Sequence, residues 1–568
     1  LLPLTRHLKA PTRPPRTDRL TAQVMFCIDD REESMRRALE EVDDSIETFG
    51  AAGFFGCAMD YVGIDDARFA AFCPVVVKPV HAVQEQAVPG QEEIREKRRT
   101  LRRWWSRWKR GLHVSSQTLV RGSISTAVLG FISLFPLVLR VLSPLTYARL
   151  AHWLSDRFFP EPRTELRFMR EDAESREATS GLLRGFMVPE MVDRVAGVLG
   201  PAGLQGGHAR LLLVLGHGSS SLNNPHESAY DCGACGGRKG GPNARLFALM
   251  ANHEGVRRGL RERGISIPDD TRVVGGFHDT CTDDVILYDL EALPASHAGD
   301  LARVSDALEQ ARALNARERA RRFEAADRQM DPAAALRHVC GRAVHLGEPR
   351  PELGHATNAV VFIGRRQTTK GLFLDRRAFL VSYDRRSDPD ARALLELLEA
   401  AVPVCGGINL EYFFSRVDNE VYGCGTKLPL NLTGLIGVMA GMQSDLRTGL
   451  PWQMVEVHEA VRILMVIEND PDVVLATFRS RPMLNEFLEN RWIRVAALNA
   501  DTGEVRMYRG AGVFETVSGD EVGLPLARTS AEYYGGELWD LPVAAIRPAP
   551  VSISVSASTS AAPSGVLA

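Results

Sequence analysis

Ala22–Cys27 (AQVMFC) runs directly into Ile28–Val42 (IDDREESMRRALEEV), and this junction decides the fold. An apolar run of that length, bounded by a polar turn, reads as a buried strand. The second stretch reads as a helix with acidic residues in its first turns, where the helix dipole favours them. Leu211–Leu215 (LLLVL) repeats the strand signal and ends in GHGSSS. A Gly-rich loop, CGACGGRKGGPN, then leads to ARLFALMANHEGVRRGL, a helix with Pro242 and Asn243 near its start. Val273–Gly276, Val285–Tyr288, Asn358–Gly364 and Ala378–Tyr383 read as further strands, and 492–508 as hairpin-like. Alternating strands and helices predict an α/β protein with a mainly parallel sheet.

Composition narrows the class. The chain has 568 residues, with 45% hydrophobic and 24% charged, which is ordinary for a globular protein. Lys plus Arg is 68 against 71 Asp plus Glu, a formal charge of −3, so the chain is not built to coat nucleic acid. A mean hydropathy of −0.11 excludes a polytopic membrane protein. Nine irregularly spaced Cys do not make a disulfide framework. In a reducing compartment, clustered Cys point to ligands or catalysis. The first residues lack the order of a secretory signal. The chain also starts without Met, which suggests a fragment or a mis-assigned start.

The expected organisation follows shifts in composition. Residues 1–21 are a basic, Pro-rich linker, and 22–91 and 207–299 are two halves of one core. Residues 92–206 form a basic and apolar helical insertion, 300–546 an additional α/β region with helix over 300–335 and 430–470, and 547–568 a disordered tail. Within the insertion, Arg95–Arg110 carries nine basic residues, one acid and three Trp. Gly122–Leu139 follows with no charge over eighteen residues, interrupted by Pro136. Trp beside Arg and Lys suits a membrane interface, and an anionic leaflet attracts such segments. The run is near the lower length limit for a span, so peripheral attachment is the expectation; a buried core helix is the bland alternative.

The chemistry-bearing residues lie where strands end. Cys27, Asp29 and Arg31 follow the first strand, and His217 and Cys232 follow the second. In doubly wound sheets, ligand sites lie beyond the carboxyl ends of strands. Cys, His and Cys are donors that Zn²⁺ prefers, and an Asp oxygen can complete a tetrahedron. Arg31 can pair with Asp29 through a fork of hydrogen bonds and draw it off the metal. The vacated position would hold water, whose pKa zinc lowers to about 7. Each residue alone also fits a plain reading as core Cys, turn or surface charge; their clustering is what argues for a site. Cys235, in Cys232-x-x-Cys235, competes as a ligand or neighbour, and spacing does not decide. His226 reads as a solvent-facing loop residue. GGRKGGPN fits a plain loop better than an anion cradle. His278–Asp283 is a further pocket candidate or a hydrogen-bonded turn.

CIDDREES at 27–34, GHGSS at 216–220 and DCGACGG at 231–237 resemble the DabA family, probable inorganic-carbon transporter subunits, over about 22–545. The first motif is also similar to the Cys-x-Asp-x-Arg element of β-carbonic anhydrases. There the second ligand pair is His-x-x-Cys; here fourteen residues separate His217 from Cys232, so identical metal geometry is not implied. The resemblance implies a β-carbonic-anhydrase-like zinc core, with zinc held by Cys27, Asp29, His217 and Cys232. It also implies a membrane partner, DabB, related to proton-translocating antiporter-like subunits. Family members usually extend further at the N-terminus, consistent with a truncated chain.

The function expected is vectorial CO₂ hydration to bicarbonate, driven by a cation-conducting partner that switches Asp29. The subunit would sit peripherally on the cytoplasmic side of the inner membrane and act as an anhydrase only when coupled. One alternative is a zinc-stabilised scaffold that binds and gates a membrane partner, with a closed four-ligand site and Arg31 out of reach of Asp29. Another is a soluble zinc hydrolase active without any partner.

Overall fold

The computed structural model describes residues 1–9, 19–222, 230–348, 352–425, 439–440, 445–446, 449–518 and 523–547. His226 and residues 548–568 lie outside the described residues, as does much of 430–448.

A five-stranded sheet forms the centre. Its strands are β1 (Ala22–Cys27), β2 (Ile46–Ala51), β3 (Leu211–Gly218), β4 (Arg272–Asp279) and β5 (Val285–Leu287), in the order β5-β4-β3-β1-β2. Only β5 is antiparallel to its neighbour. All residues of β1 and β3 are buried, as apolar runs in a sheet covered on both faces must be. Alternate side chains point to opposite faces. Val24, Phe26, Leu213 and Leu215 pack with Met35 and Leu39 of α2 (Arg31–Val42), and with Val304 and Leu308 of a long helix, Ala298–Ala320. Met25, Leu212 and Val214 pack on the other face against Leu246, Phe247 and Met250 of the helix Gly241–Asn252.

The glycines of the second βα junction serve close packing. A Cβ on Gly216 would lie 2.1 Å from the carbonyl oxygen of Gly240, so only glycine lets this helix start lie against β3. The segment read as one helix after it breaks at His253, which is extended, and restarts at Glu254.

A second sheet holds β6 (Val360–Gly364), β7 (Ala378–Ser382), β8 (Leu464–Ile467), β9 (Arg494–Asn499), β10 (Glu504–Gly510) and β11 (Val513–Thr516), in the order β7-β6-β8-β9-β10-β11. Its first four strands are parallel; β9 and β10 form the expected hairpin. The stretch 430–470 is not largely helical where it is described: it contributes β8, a short helix at Trp452–Val455 and a paired Met439–Ala440 and Asp445–Leu446. A four-residue apolar run such as LMVI carries no period that separates strand from helix.

The two sheets meet at one seam. The Leu380 N–H of β7 donates to the carbonyl of Ile28 (3.0 Å), and Arg36 donates to the carbonyl of Leu380 (3.0 Å). Gly50 faces that carbonyl so closely that a Cβ would lie 1.8 Å from its oxygen. The stretch 1–21 differs from the linker expected: α1 (Leu2–Lys9) sets Leu4 and Leu8, with Leu1 before them, against Phe362 and Leu380 of the second sheet. That i, i+3, i+7 spacing is a helix signal hidden by the Pro-rich sequence after it.

Residues 92–158 leave this body as three helices, α3 (Glu92–Ser116), α4 (Leu119–Leu142) and α5 (Pro144–Phe158). Arg98 pins both ends of the excursion, donating to Asp65 (2.7 Å) and Glu161 (2.8 Å). α4 runs unbroken through Pro136, with a mean hydropathy of 2.0. One broad face is exposed, with Phe131 at 81%, Phe135 at 70% and Leu142 at 79%, while Gly122, Ser125, Leu129 and Leu139 on the other side are partly or wholly covered. The bland reading as a core helix is therefore wrong for α4. A second apolar helix, Arg392–Val417, is 39% buried over its apolar window. From 164 onward the insertion returns to the core, where Met191, Val192, Val195 and Leu199 pack with the central sheet.

Gly50→Ala is expected to cost about 3 kcal/mol through overpacking at the seam, read as a lower urea midpoint. An unchanged midpoint would mean the two sheets are not held together there.

Candidate metal centre

Parallel register brings the two strand ends together. Phe26 pairs with Leu215, so Cys27 leaves β1 beside the Gly216–His217 end of β3. Cys232 follows on the loop that crosses back, in a tight turn where the Cys235 N–H donates to its carbonyl (2.9 Å). The donor atoms of Cys27, His217 and Cys232 all lie within 4.8 Å of one another, and all three residues are buried. A tetrahedral zinc ion needs its ligand atoms roughly 3.3–3.8 Å apart. Asp29 adds an oxygen 3.2 Å from His217 Nε2. Two thiols and an imidazole around one point fit a zinc-type ion by donor chemistry and spacing, and the Asp29 carboxylate lies beside them on Arg31 rather than within the group.

Gly53 closes the back of the thiol pair. A Cβ there would lie 2.7 Å from Cys232 Sγ and 2.9 Å from Cys27 Sγ. Cys235 is buried next to this trio, and its thiol is a hydrogen-bonding partner of Cys232.

Arg31 reaches Asp29 in the forked geometry expected. Its Nε donates to Oδ1 (2.9 Å) and its Nη2 to Oδ2 (3.1 Å). Nη1 turns the other way, donating to Glu352 Oε1 (3.0 Å), to Thr280 Oγ1 (3.3 Å) and to the Tyr230 carbonyl. A second group that could hold a metal, Asp29, Asp30 and His355, adjoins the first. There His355 Nδ1 lies 2.6 Å from Asp30 Oδ1, and Nε2 lies 3.7 Å from Asp29 Oδ2.

The buried groups at the site set one another's charge. Burial would raise the Asp29 pKa, but Arg31, His355 and His217 outweigh it and hold the carboxyl well below its usual range. Burial would lower His217, yet Cys27 and Asp29 push it up to about 10. Burial, with Cys232 next to it, pushes the Cys27 thiol well above its ordinary value. A divalent ion held there would take the place of the protons on the thiols and the imidazole.

His278 does not join the trio. Its Nδ1 is 2.8 Å from Glu32 and its Nε2 3.5 Å from Asp283. Burial would lower its pKa, but Glu32 and Asp283 push it up to about 10. Glu32 also approaches His217 Nδ1 at 4.0 Å. Glu352 and His355 were missed by sequence reasoning because they precede a strand, β6, whereas the carboxyl-end rule looks after strands. Gly53 carries no signal that distinguishes it from a loop glycine.

The family model described as "Probable inorganic carbon transporter subunit DabA" matches residues 3–493. The chain belongs to the DabA family. Among curated DabA relatives, the DabA 2 protein of Sorangium cellulosum is 48% identical over 529 residues, covering 93% of this chain and 51% of its own length. The DabA of Methylococcus capsulatus is 44% identical over 540 residues, covering 94% and 50%. The DabA of Azotobacter vinelandii is 41% identical over 531 residues, covering 92% and 60%. The chain thus spans about half the length of the first two DabA relatives.

Gly53→Ala is expected to weaken metal affinity about 10-fold or more with little change in the unfolding midpoint. Competition with a chelator measures it; unchanged affinity would place the metal away from the two thiols.

Proposed function

We propose that this chain is the carbon-hydrating part of an inorganic-carbon uptake system, built on a β-carbonic-anhydrase-like zinc centre. The single observation that carries the reading is the fork between Arg31 and Asp29 beside the Cys27, His217 and Cys232 donors. Cys27, His217 and Cys232 would hold the ion, and Asp29 would be the further protein donor when not held by Arg31. A zinc ion there supplies Lewis acidity that makes water nucleophilic near neutral pH. The chain's own contribution is positional. Arg31 keeps the Asp29 carboxylate off the fourth position, and burial excludes bulk water from the reacting volume.

CO₂ and water then give bicarbonate and a proton. The reaction runs one way only if proton removal is coupled to an energy source, and the proposed source is a DabB-like, cation-conducting membrane subunit. The relatives' description as transporter subunits supports a partner of this kind. The scaffold alternative requires an Arg31 that does not reach Asp29, and a 2.9 Å contact weighs against it.

The proposed location is the cytoplasmic face of the inner membrane, held peripherally through α3–α5. Trp104, Trp105 and Trp108 are exposed on a basic helix beside the apolar α4. That is the pattern of an interfacial anchor facing anionic headgroups.

Cys27→Ala, His217→Ala and Cys232→Ser are each expected to lose zinc by metal analysis and to abolish uptake of labelled inorganic carbon in cells with the partner, while Cys235→Ser keeps its zinc. Zinc and uptake surviving Cys27→Ala or His217→Ala would overturn the reading. Replacing the three Trp by Ala is expected to cut the fraction sedimenting with anionic-lipid vesicles. If that fraction is unchanged, α3 is not the contact.

A further inference from the structure

The Asp29 switch has a physical problem that Arg31 alone does not solve. Arg31 is 1% exposed. When Asp29 leaves it for the metal, a buried guanidinium loses its forked partner, and an uncompensated buried charge is strongly unfavourable. Glu352 meets this need. It is wholly buried, 321 residues away in sequence, and its Oε1 accepts from Arg31 Nη1 at 3.0 Å. Its Oε2 is buried and accepts no hydrogen bond among the described residues. Its contact with Nη1 does not depend on Asp29, which pairs with Nε and Nη2, so the counter-charge stays when Asp29 departs. The carbonyl of Tyr230 and the hydroxyl of Thr280 hold the same Nη1, so Arg31 stays in place.

We propose that Glu352 is a positioning residue for carbon hydration: the standing counter-charge that keeps Arg31 neutralised, so that Asp29 can move between Arg31 and the metal. This rests on the metal-centre reading above. The direction of the effect follows. Without the Glu352 charge, Asp29 is the one carboxylate still ion-paired with Arg31 among the described residues, so it is held more firmly on the guanidinium and away from the metal. If Glu352 merely braced Arg31, its loss would loosen the fork and let Asp29 close on the metal, the opposite result.

The test uses the chain loaded with Co²⁺ in place of zinc and thiocyanate as a competitor for the fourth position, read by the visible d–d spectrum. Glu352→Gln is expected to raise thiocyanate affinity about fivefold or more at unchanged cobalt content. Glu352→Asp, which keeps the charge, is expected to stay near wild type. In an Asp29→Ala background, Glu352→Gln is expected to change nothing, because the residue it acts through is gone. Unchanged or weakened thiocyanate binding in Glu352→Gln overturns the proposal. The same holds if the effect persists without Asp29. Should Glu352→Gln fail to fold, the neutral variant Glu352→Ala is read in its place, with and without Asp29, with the same expected and overturning results. A wild-type chain that binds no cobalt would instead remove the metal-centre reading, and the proposal with it.

Discussion

Parallel pairing of β1 with β3 is the constraint on which the rest depends. Two apolar strands, far apart in the chain, lie side by side from Ala22 and Leu211 to Phe26 and Leu215. Because the strands are parallel and in register, their carboxyl ends finish at the same edge of the sheet. Cys27 and His217 therefore meet without any loop having to carry them there. The helices on both faces bury the strands completely, and the glycine contact between Gly216 and Gly240 sets how near the second helix starts.

The edge so formed would be an exposed rim in an isolated domain. Here the second sheet covers it. Cys27, Cys232 and Cys235 share one buried cluster with Val361, Phe379 and Val381 of that sheet. Burial strengthens every electrostatic interaction at the site and makes each unpaired charge costly. This explains why Asp29, Arg31, Glu352 and the neighbouring histidines form a connected set rather than scattered ion pairs. It also ties the chemistry to the seam: what holds the two sheets together also encloses the donors.

The helical excursion obeys a different rule. Its base is fixed by Arg98, while α4 exposes apolar side chains over a broad face. A narrow stripe is enough for docking in one groove; a broad exposed apolar face suits an apolar surrounding. The basic, Trp-bearing α3 next to it supplies charge and amphipathic rings on the same projection.

The strand-to-helix junction at Cys27–Arg31 and the apolar run before GHG were legible because burial on both faces forces continuous hydrophobicity, a local signal. Local chemistry likewise marked Cys27, Asp29, His217 and Cys232 as candidate donors, and the fold brings Cys27, His217 and Cys232 together with Asp29 beside them. A helix at Leu2–Lys9, the strand at Leu464–Ile467 and the break at His253 were misread, since short segments take their state from what they pack against. Glu352, His355 and Gly53 were invisible for a related reason. Their importance lies in distances to residues hundreds of positions away, or to two sulfur atoms across a seam. By itself the sequence determined which side chains can bind a metal and which segments must be buried, because those are properties of residue type and period. Only the tertiary structure decided which carboxylates share Arg31 and which backbone leaves room for the thiols, because both depend on separations that no spacing along the chain encodes.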